Sequence, residues 1–203
     1  MERWVLLRKG ADFEAIGKKY QISPRLACLI RNRDVIGEEA IERYLNGTIS
    51  DLYDGMLMKD ADKAIDILKE KIAEEKKISQ KAKVRIIGDY DIDGVNATYI
   101  LLEGLERLGA YVDSDIPDRI GDGYGLNRHL IDRAYDAGID TIITCDNGIA
   151  AYNEIAMAKE KGMTVIITDH HEIPYKETED GRELILPPAD AIVNPKQPDC
   201  NYP

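Results

Sequence analysis

No apolar run in this chain approaches the roughly 18 residues that a membrane-spanning helix needs, although hydrophobic residues make up 44% of its 203 positions. A transmembrane protein is excluded. Cysteine is scarce: Cys28, Cys145 and Cys200 are far apart and odd in number, which gives neither a disulfide framework nor a zinc set. They read as buried thiols in a reducing compartment. A secretory signal is also missing, because the apolar stretch between Arg3 and Arg8 is short and no small-residue cleavage site follows. The expected location is the cytoplasm. There is no Gly-x-Gly-x-x-Gly after a strand and no Walker loop, so neither dinucleotide nor nucleoside triphosphate binding is indicated. The chain has no internal repeat and no low-complexity segment.

Positive charge is short in one part of the chain. The net charge is -11, but residues 1 to 83 hold 17 Lys and Arg against 15 Asp and Glu, whereas residues 84 to 203 hold 10 against 23. All the excess acidity lies in the second part. A diffuse acidic surface is ordinarily a solubility device and argues against a nucleic-acid partner, unless the acids converge on metal ions.

The first 58 residues carry helical apolar spacing in three short segments, Asp12 to Tyr20, Ser23-Pro24 to Asn32, and Glu38 to Leu45. Ser23 is placed as an N-cap ahead of Pro24, and Gly47 as a stop. Residues 1–58 are expected to form a helical extension of the main domain. From Asp60 to about Ile78, Ala61, Ala64, Ile65, Leu68 and Ile72 recur at three and four residues among charged positions, which predicts an amphipathic helix with one buried stripe.

After Lys83 the rhythm changes. Strands are predicted at Val84 to Gly88, Tyr111 to Ile116, Thr141 to Cys145 and Thr164 to Thr168, with helices at Val95 to Leu108, Asn127 to Ala137 and Ile149 to Lys161 between them. This alternation is that of an α/β domain with a mostly parallel sheet flanked by helices, over residues 59–203. A charged, proline-bearing loop from Glu172 to Pro188 leads to a short strand, Ala191 to Val193. The closing residues, Asn194 to Pro203, contain no capping element, and the natural chain is expected to continue.

In an open parallel sheet ligands bind at the carboxyl ends of the strands. Three of the four main strands end in acids there: the first runs into Asp89-Tyr90-Asp91-Ile92-Asp93-Gly94, the third into Asp146-Asn147-Gly148, and the fourth into Asp169-His170-His171. An aspartate in such a place also serves as a turn former or N-cap. Three strand ends with five aspartates and two of the chain's three histidines are hard to explain by turns alone. Carboxylates held a few ångströms apart repel, and a divalent cation removes the conflict. Oxygen donors with imidazole and no thiolate suit Mn²⁺ or Mg²⁺. Asp91 and Asp93 can face different ions while Asp146 bridges, an arrangement suited to two-metal phosphoryl chemistry. Arg119, in the glycine-rich segment Arg119 to Gly125, is a candidate contact for a substrate phosphate.

These motifs resemble the first three of the DHH phosphoesterase family, the third motif being the one that gives the family its name. The Gly-Asp-Tyr-Asp start, Gly123-Tyr124-Gly125 and Val193-Asn194-Pro195 resemble its single-strand-specific 5′→3′ exonuclease branch. The resemblance implies two Mn²⁺ or Mg²⁺ ions held by Asp91, Asp93, Asp146 and His170, with His171 beside the scissile phosphate. Many members place a histidine four residues before the aspartate matching Asp91. Ile87 stands there in this chain, so that role falls to Asp89. Asp146, Asp93 and His171 are the implied catalytic residues. A fourth motif and a second domain would lie beyond Pro203.

The expected function is therefore metal-dependent hydrolysis of phosphodiester bonds in single-stranded DNA, in repair and recombination, with single-strand-binding protein and helicase as candidate partners. A phosphoesterase of short oligonucleotides or cyclic dinucleotides is the alternative within enzymes. A phospho-receiver-like domain leaves the histidine pair without a task, and a non-catalytic DNA-binding domain leaves the retained acids unexplained.

Overall fold

The computed structural model describes residues 9–78, 83–121, 123, 125–179 and 181–203. The chain separates into two compact units, residues 1–52 and 53–203.

In the first unit, α1 (Phe13–Tyr20), α2 (Pro24–Asn32) and α3 (Glu38–Asn46) follow one another. Asp12 caps α1 by accepting from the Ala15 N–H at 2.9 Å, and Ser23 caps α2 by accepting from the Leu26 N–H at 3.2 Å. Among its described residues, Ala27, Ile30 and Ile41 are buried and apolar. The second unit includes residues 53–58, which the sequence reading assigned to the helical extension; within it the Tyr53 ring meets Tyr202 edge-on at 6.1 Å.

That unit contains a five-stranded sheet in the order β2-β1-β3-β4-β7, with β1 at Lys83–Ile87, β2 at Tyr111–Asp115, β3 at Thr141–Cys145, β4 at Thr164–Thr168 and β7 at Ala191–Val193. Every pair is parallel. The helices α4 (Ala61–Ile78), α5 (Ile92–Leu108), α6 (Arg128–Asp136) and α7 (Tyr152–Glu160) cover both faces. Alternation along the strands divides the core: Ile142 and Val165 pack with Leu130 and Ile155 from α6 and α7, while Ile143 and Ile166 pack with Ala64 and Leu105 from α4 and α5. Being covered on both sides, β3 is buried at every position, as a central parallel strand requires.

Three local differences from the sequence reading have clear causes. Helix α5 starts at Ile92 rather than Val95, because the Asp91 carboxylate accepts from the N–H groups of Asp93 and Gly94, both at 3.0 Å, and caps it early. Helix α7 starts at Tyr152 rather than Ile149, because residues 149–151 are spent on a turn closed by the Ala151 N–H bond to the Gly148 carbonyl at 3.0 Å. The segment read as a loop from Glu172 to Pro188 contains an antiparallel hairpin, β5 (Tyr175–Thr178) and β6 (Gly181–Leu184). Both its strands are exposed throughout, so it carries no inward apolar alternation.

Candidate metal centre

The carboxyl ends of β1, β3 and β4 lie side by side because the three strands are consecutive in the sheet. Main-chain pairing continues past their ends: the Gly88 N–H bonds the Asp115 carbonyl, the Asp146 N–H the Thr168 carbonyl, and the Asp169 N–H the Val193 carbonyl. Each loop therefore leaves the sheet from a fixed point.

The β1 loop turns back tightly into α5. Gly94 is needed there, since a Cβ at that position would lie 2.6 Å from the Asp89 carbonyl oxygen. Asp89 is 1% exposed, and its Oδ1 accepts from the Tyr90 N–H at 2.8 Å. After β3, Asp146 takes a left-handed φ of 61° and Gly148 one of 106°. Aspartate tolerates that region better than most side chains, and a Cβ on Gly148 would meet Thr144 Oγ1 at 2.5 Å. After β4, Asp169 organises the loop: its Oδ1 accepts from the N–H groups of His170 (2.7 Å) and His171 (3.1 Å) and contacts His171 Nδ1 at 2.7 Å, while its Oδ2 accepts from the Ile149 N–H at 2.9 Å.

Two overlapping groups result. One ligand atom from each of Asp89, Asp91 and Asp146 lies within 4.8 Å of the others, and so does one from each of Asp146, His170 and His171. Asp146 belongs to both. His170 Nε2 stands 2.8 Å from Asp146 Oδ1, and the two imidazole rings lie 4.6 Å apart. Asp93 belongs to neither group; it is exposed in the first turn of α5. Arg119 is also outside both groups, exposed, with its guanidinium 5.0 Å from the centre of the Tyr90 ring. Asp122 and Tyr124 of the same segment lie outside the described residues.

The electrostatics of the two groups are strained. Burial pushes the Asp146 carboxyl above the usual carboxylate range, and the charge of Asp91 adds to it, against the pull of His170 and His171. Asp91 is held below that range, first by the Gly94 N–H and also by the Asp93 N–H and its hydrogen bond with Asp146. Two carboxyls this close repel in their charged forms, a conflict that a cation between them relieves. Hard oxygen donors, imidazole nitrogens and crowded negative charge fit a divalent cation of the Mn²⁺ or Mg²⁺ kind. The neighbouring Cys145 thiol is no ligand of this sort: burial pushes its pKa up, and it is 3.3 Å from Thr98 Oγ1.

Three residues of the motifs that were not assigned as ligands or catalytic residues support the site. Asp169 fixes the histidine pair, as described. Asn147, 3% exposed, donates from Nδ2 to the carbonyls of Ile87 (3.1 Å) and Cys145 (3.0 Å), tying the ends of β1 and β3 together. Asn194, completely buried, donates to the His171 carbonyl at 3.1 Å. Their signal in the sequence was position alone, polar residues directly after buried strands.

The N-terminal domain of the DHH family matches residues 83–201, and the chain belongs to that family. Within it, the chain is similar to the single-stranded-DNA-specific exonuclease RecJ. It is 41% identical over 202 residues to RecJ of Bacillus subtilis (strain 168), covering 99% of this chain and 24% of that protein. To RecJ of Escherichia coli (strain K12) it is 31% identical over 204 residues, covering 100% of this chain and 32% of the relative. A crystal structure of exonuclease RecJ bound to manganese superimposes with a TM-score of 0.59 at 34% identity, over 73% of this chain and 34% of that one. RecJ of Thermus thermophilus in complex with Mn²⁺ gives 0.58 at 27% identity, over 93% and 24%. The chain thus spans a quarter to a third of the length of these curated relatives. No helix among the described residues is long and apolar enough to cross a membrane.

Proposed function

We propose that the two groups hold a pair of Mn²⁺ or Mg²⁺ ions and that the chain is the metal-binding part of a 5′→3′ exonuclease acting on single-stranded DNA. The observation that carries the reading is the membership of Asp146 in both groups, since a shared carboxylate is what a two-metal phosphoryl site requires. The named activity of the RecJ relatives and the manganese in two of their structures support it.

In this reading Asp89 and Asp91 hold one ion, His170 the other, and Asp146 both. Bound there, the ions supply positive charge to the phosphoryl group and make an attacking water more acidic. His171 has its Nδ1 against the Asp169 carboxylate, which fixes its ring and proton and directs the imidazole to the phosphoryl oxygens. Asp93, exposed in the first turn of α5, would be a further ligand. Arg119, beside Tyr90, meets a backbone phosphate. Single-strand-binding protein and helicase are the proposed partners, in DNA repair and recombination in the cytoplasm.

The test is degradation of single-stranded DNA labelled at the 5′ or the 3′ end, with Mn²⁺ or EDTA, by the natural protein that contains this chain. Mn²⁺-dependent release from the 5′ end, lost in Asp146→Asn, is expected. Equal activity in EDTA would overturn the reading. Preferential hydrolysis of dinucleotides or cyclic dinucleotides would transfer the site to the short-substrate alternative.

A further inference from the structure

Beside the histidine pair lies a cleft of about 300 Å³ whose lining includes Asp169 and His171. Its size is at the lower end of ligand pockets, which run to about 1,000 Å³, and gives room for one nucleoside. We propose that this cleft is the nucleoside subsite of the site described above, taking the base of the nucleotide whose phosphate is held at the two groups. The inference rests on the two-metal reading and adds to it where the substrate's ring is seated.

Three properties of the walls support a base rather than another phosphate. First, no Lys or Arg is among the described residues lining the cleft, and Glu154 contributes negative charge, so an anionic group is disfavoured there. Second, Gly125, Gly148, Ala150 and Ala151 line it with at most a methyl group each, so a flat ring can lie against the main chain, with Leu126 adding apolar surface. Third, the lining holds a buried acceptor without a partner among the described residues. The Asn147 amide is oriented by its two donations to the Ile87 and Cys145 carbonyls, which leaves Oδ1 as the acceptor. That oxygen is buried and has no hydrogen-bond partner among the described residues. An unsatisfied buried acceptor is costly, and because this oxygen is fully buried, a base N–H would reach it only as the wall yields to the bound ring. All four bases carry at least one N–H on the pairing edge, so such an acceptor would favour a base without selecting among sequences. Such tolerance suits an exonuclease, which must accept each nucleotide in turn.

The subsite is tested by binding rather than by turnover. Titration calorimetry of the chain at a fixed, saturating Mn²⁺ concentration compares a 2′-deoxynucleoside 5′-monophosphate with 2-deoxyribose 5-phosphate, which has the sugar and phosphate and lacks the base. We expect the nucleotide to bind about tenfold more tightly, equivalent to about 1.4 kcal/mol. In Ala151→Phe and Ala150→Phe, which fill the cleft from its partly buried and its exposed wall, the ratio should fall to near one while deoxyribose 5-phosphate binds as before. Both variants are checked for an unchanged melting transition, and the Ala150 variant serves if the Ala151 variant fails to fold. Equal binding of the two ligands by the parent chain, or a ratio unaltered in a folded variant, overturns the subsite and leaves the metal reading standing. Failure of both ligands to bind in a Mn²⁺-dependent way overturns the metal reading and the subsite with it.

Discussion

The buried amide of Asn194 and the backbone carbonyl of His171 are joined by a 3.1 Å hydrogen bond, so the outermost strand of the sheet holds the loop that carries the histidine pair. The same side chain accepts from the Lys196 N–H at 2.8 Å. Ahead of it, the Ile192 N–H donates to Asp60 at 3.2 Å. Position is thereby passed from the start of α4 through β7 to the candidate metal centre.

Removing the Asn194 side chain therefore affects both fold and site. Asn194→Ala strips partners from the His171 carbonyl and the Lys196 N–H and should cost about 1–3 kcal/mol of stability, read from urea unfolding. Asn194→Asp keeps the acceptor for Lys196 and loses the donor to His171. It should retain more stability than the alanine variant and still bind Mn²⁺ more weakly than the parent. Parental Mn²⁺ affinity in both variants would show that the His171 carbonyl needs no anchor.

Asp146 should show the opposite sign in stability and in metal binding. Its carboxyl is raised above the usual range in the folded chain, so its contribution to stability is present below the unfolded pKa of about 3.9 and is lost as pH rises through the folded value. At neutral pH the ion-free fold bears that loss, and Asp146→Asn should raise the melting temperature of the ion-free chain slightly. Mn²⁺ affinity should fall by more than the roughly 10–100-fold typical of losing a mere supporting partner. A melting scan with and without Mn²⁺ reads both effects.

The two histidines should be separable. His170 contacts the shared carboxylate directly, whereas His171 is anchored to Asp169. His170→Ala should lower Mn²⁺ affinity more than His171→Ala does. In the natural protein His171→Ala should lower turnover by about 10²–10³, the range for a lost stabiliser of developing charge. Equal losses of metal affinity would mean that both imidazoles act alike.

Asp118 gives a pH prediction away from the metal groups. Its carboxylate accepts from the N–H groups of Gly121 at 2.7 Å and Ile120 at 2.9 Å, and these hold its pKa below the usual range. A lowered folded pKa means that the contribution is complete above the unfolded value of about 3.9 and lost as pH falls through the folded value. The loop beside Arg119 should thus be unchanged from pH 7 to 5 and open only in stronger acid. Amide resonances of Ile120 and Gly121 followed by NMR should titrate together there, and Asp118→Asn should remove the transition.

What the sequence disclosed depended on what each segment must bury. Val84, Ile86 and Ile87, Ile142 and Ile143, and Val165 to Ile167 are all within 1% of full burial, and a strand covered on both faces reads as a β-branched run, interrupted in β1 only by Arg85. The acids that follow were legible because strand ends in a parallel sheet share one edge. The hairpin of Tyr175–Thr178 and Gly181–Leu184 was not, since it buries neither face. The work of Asn147 and Asn194 was hidden for a different reason. Each reaches a main-chain partner brought near by the tertiary fold, Ile87 for Asn147 and His171 for Asn194, and no spacing rule connects such residues.

Because the three loops hang from strands separated in sequence by whole helices, no local fragment of this chain contains the ligand set. Parallel pairing is non-local and late to form. During folding the acids of β1, β3 and β4 thus remain far apart, and their mutual repulsion is met only as the last strands align. A cation arriving early finds at most the acids of one loop, such as Asp89 and Asp91, without the Asp146 that completes their group. It acts as a latch on a finished sheet and slows its opening, so that occupancy of the site reports the completeness of the chain around it.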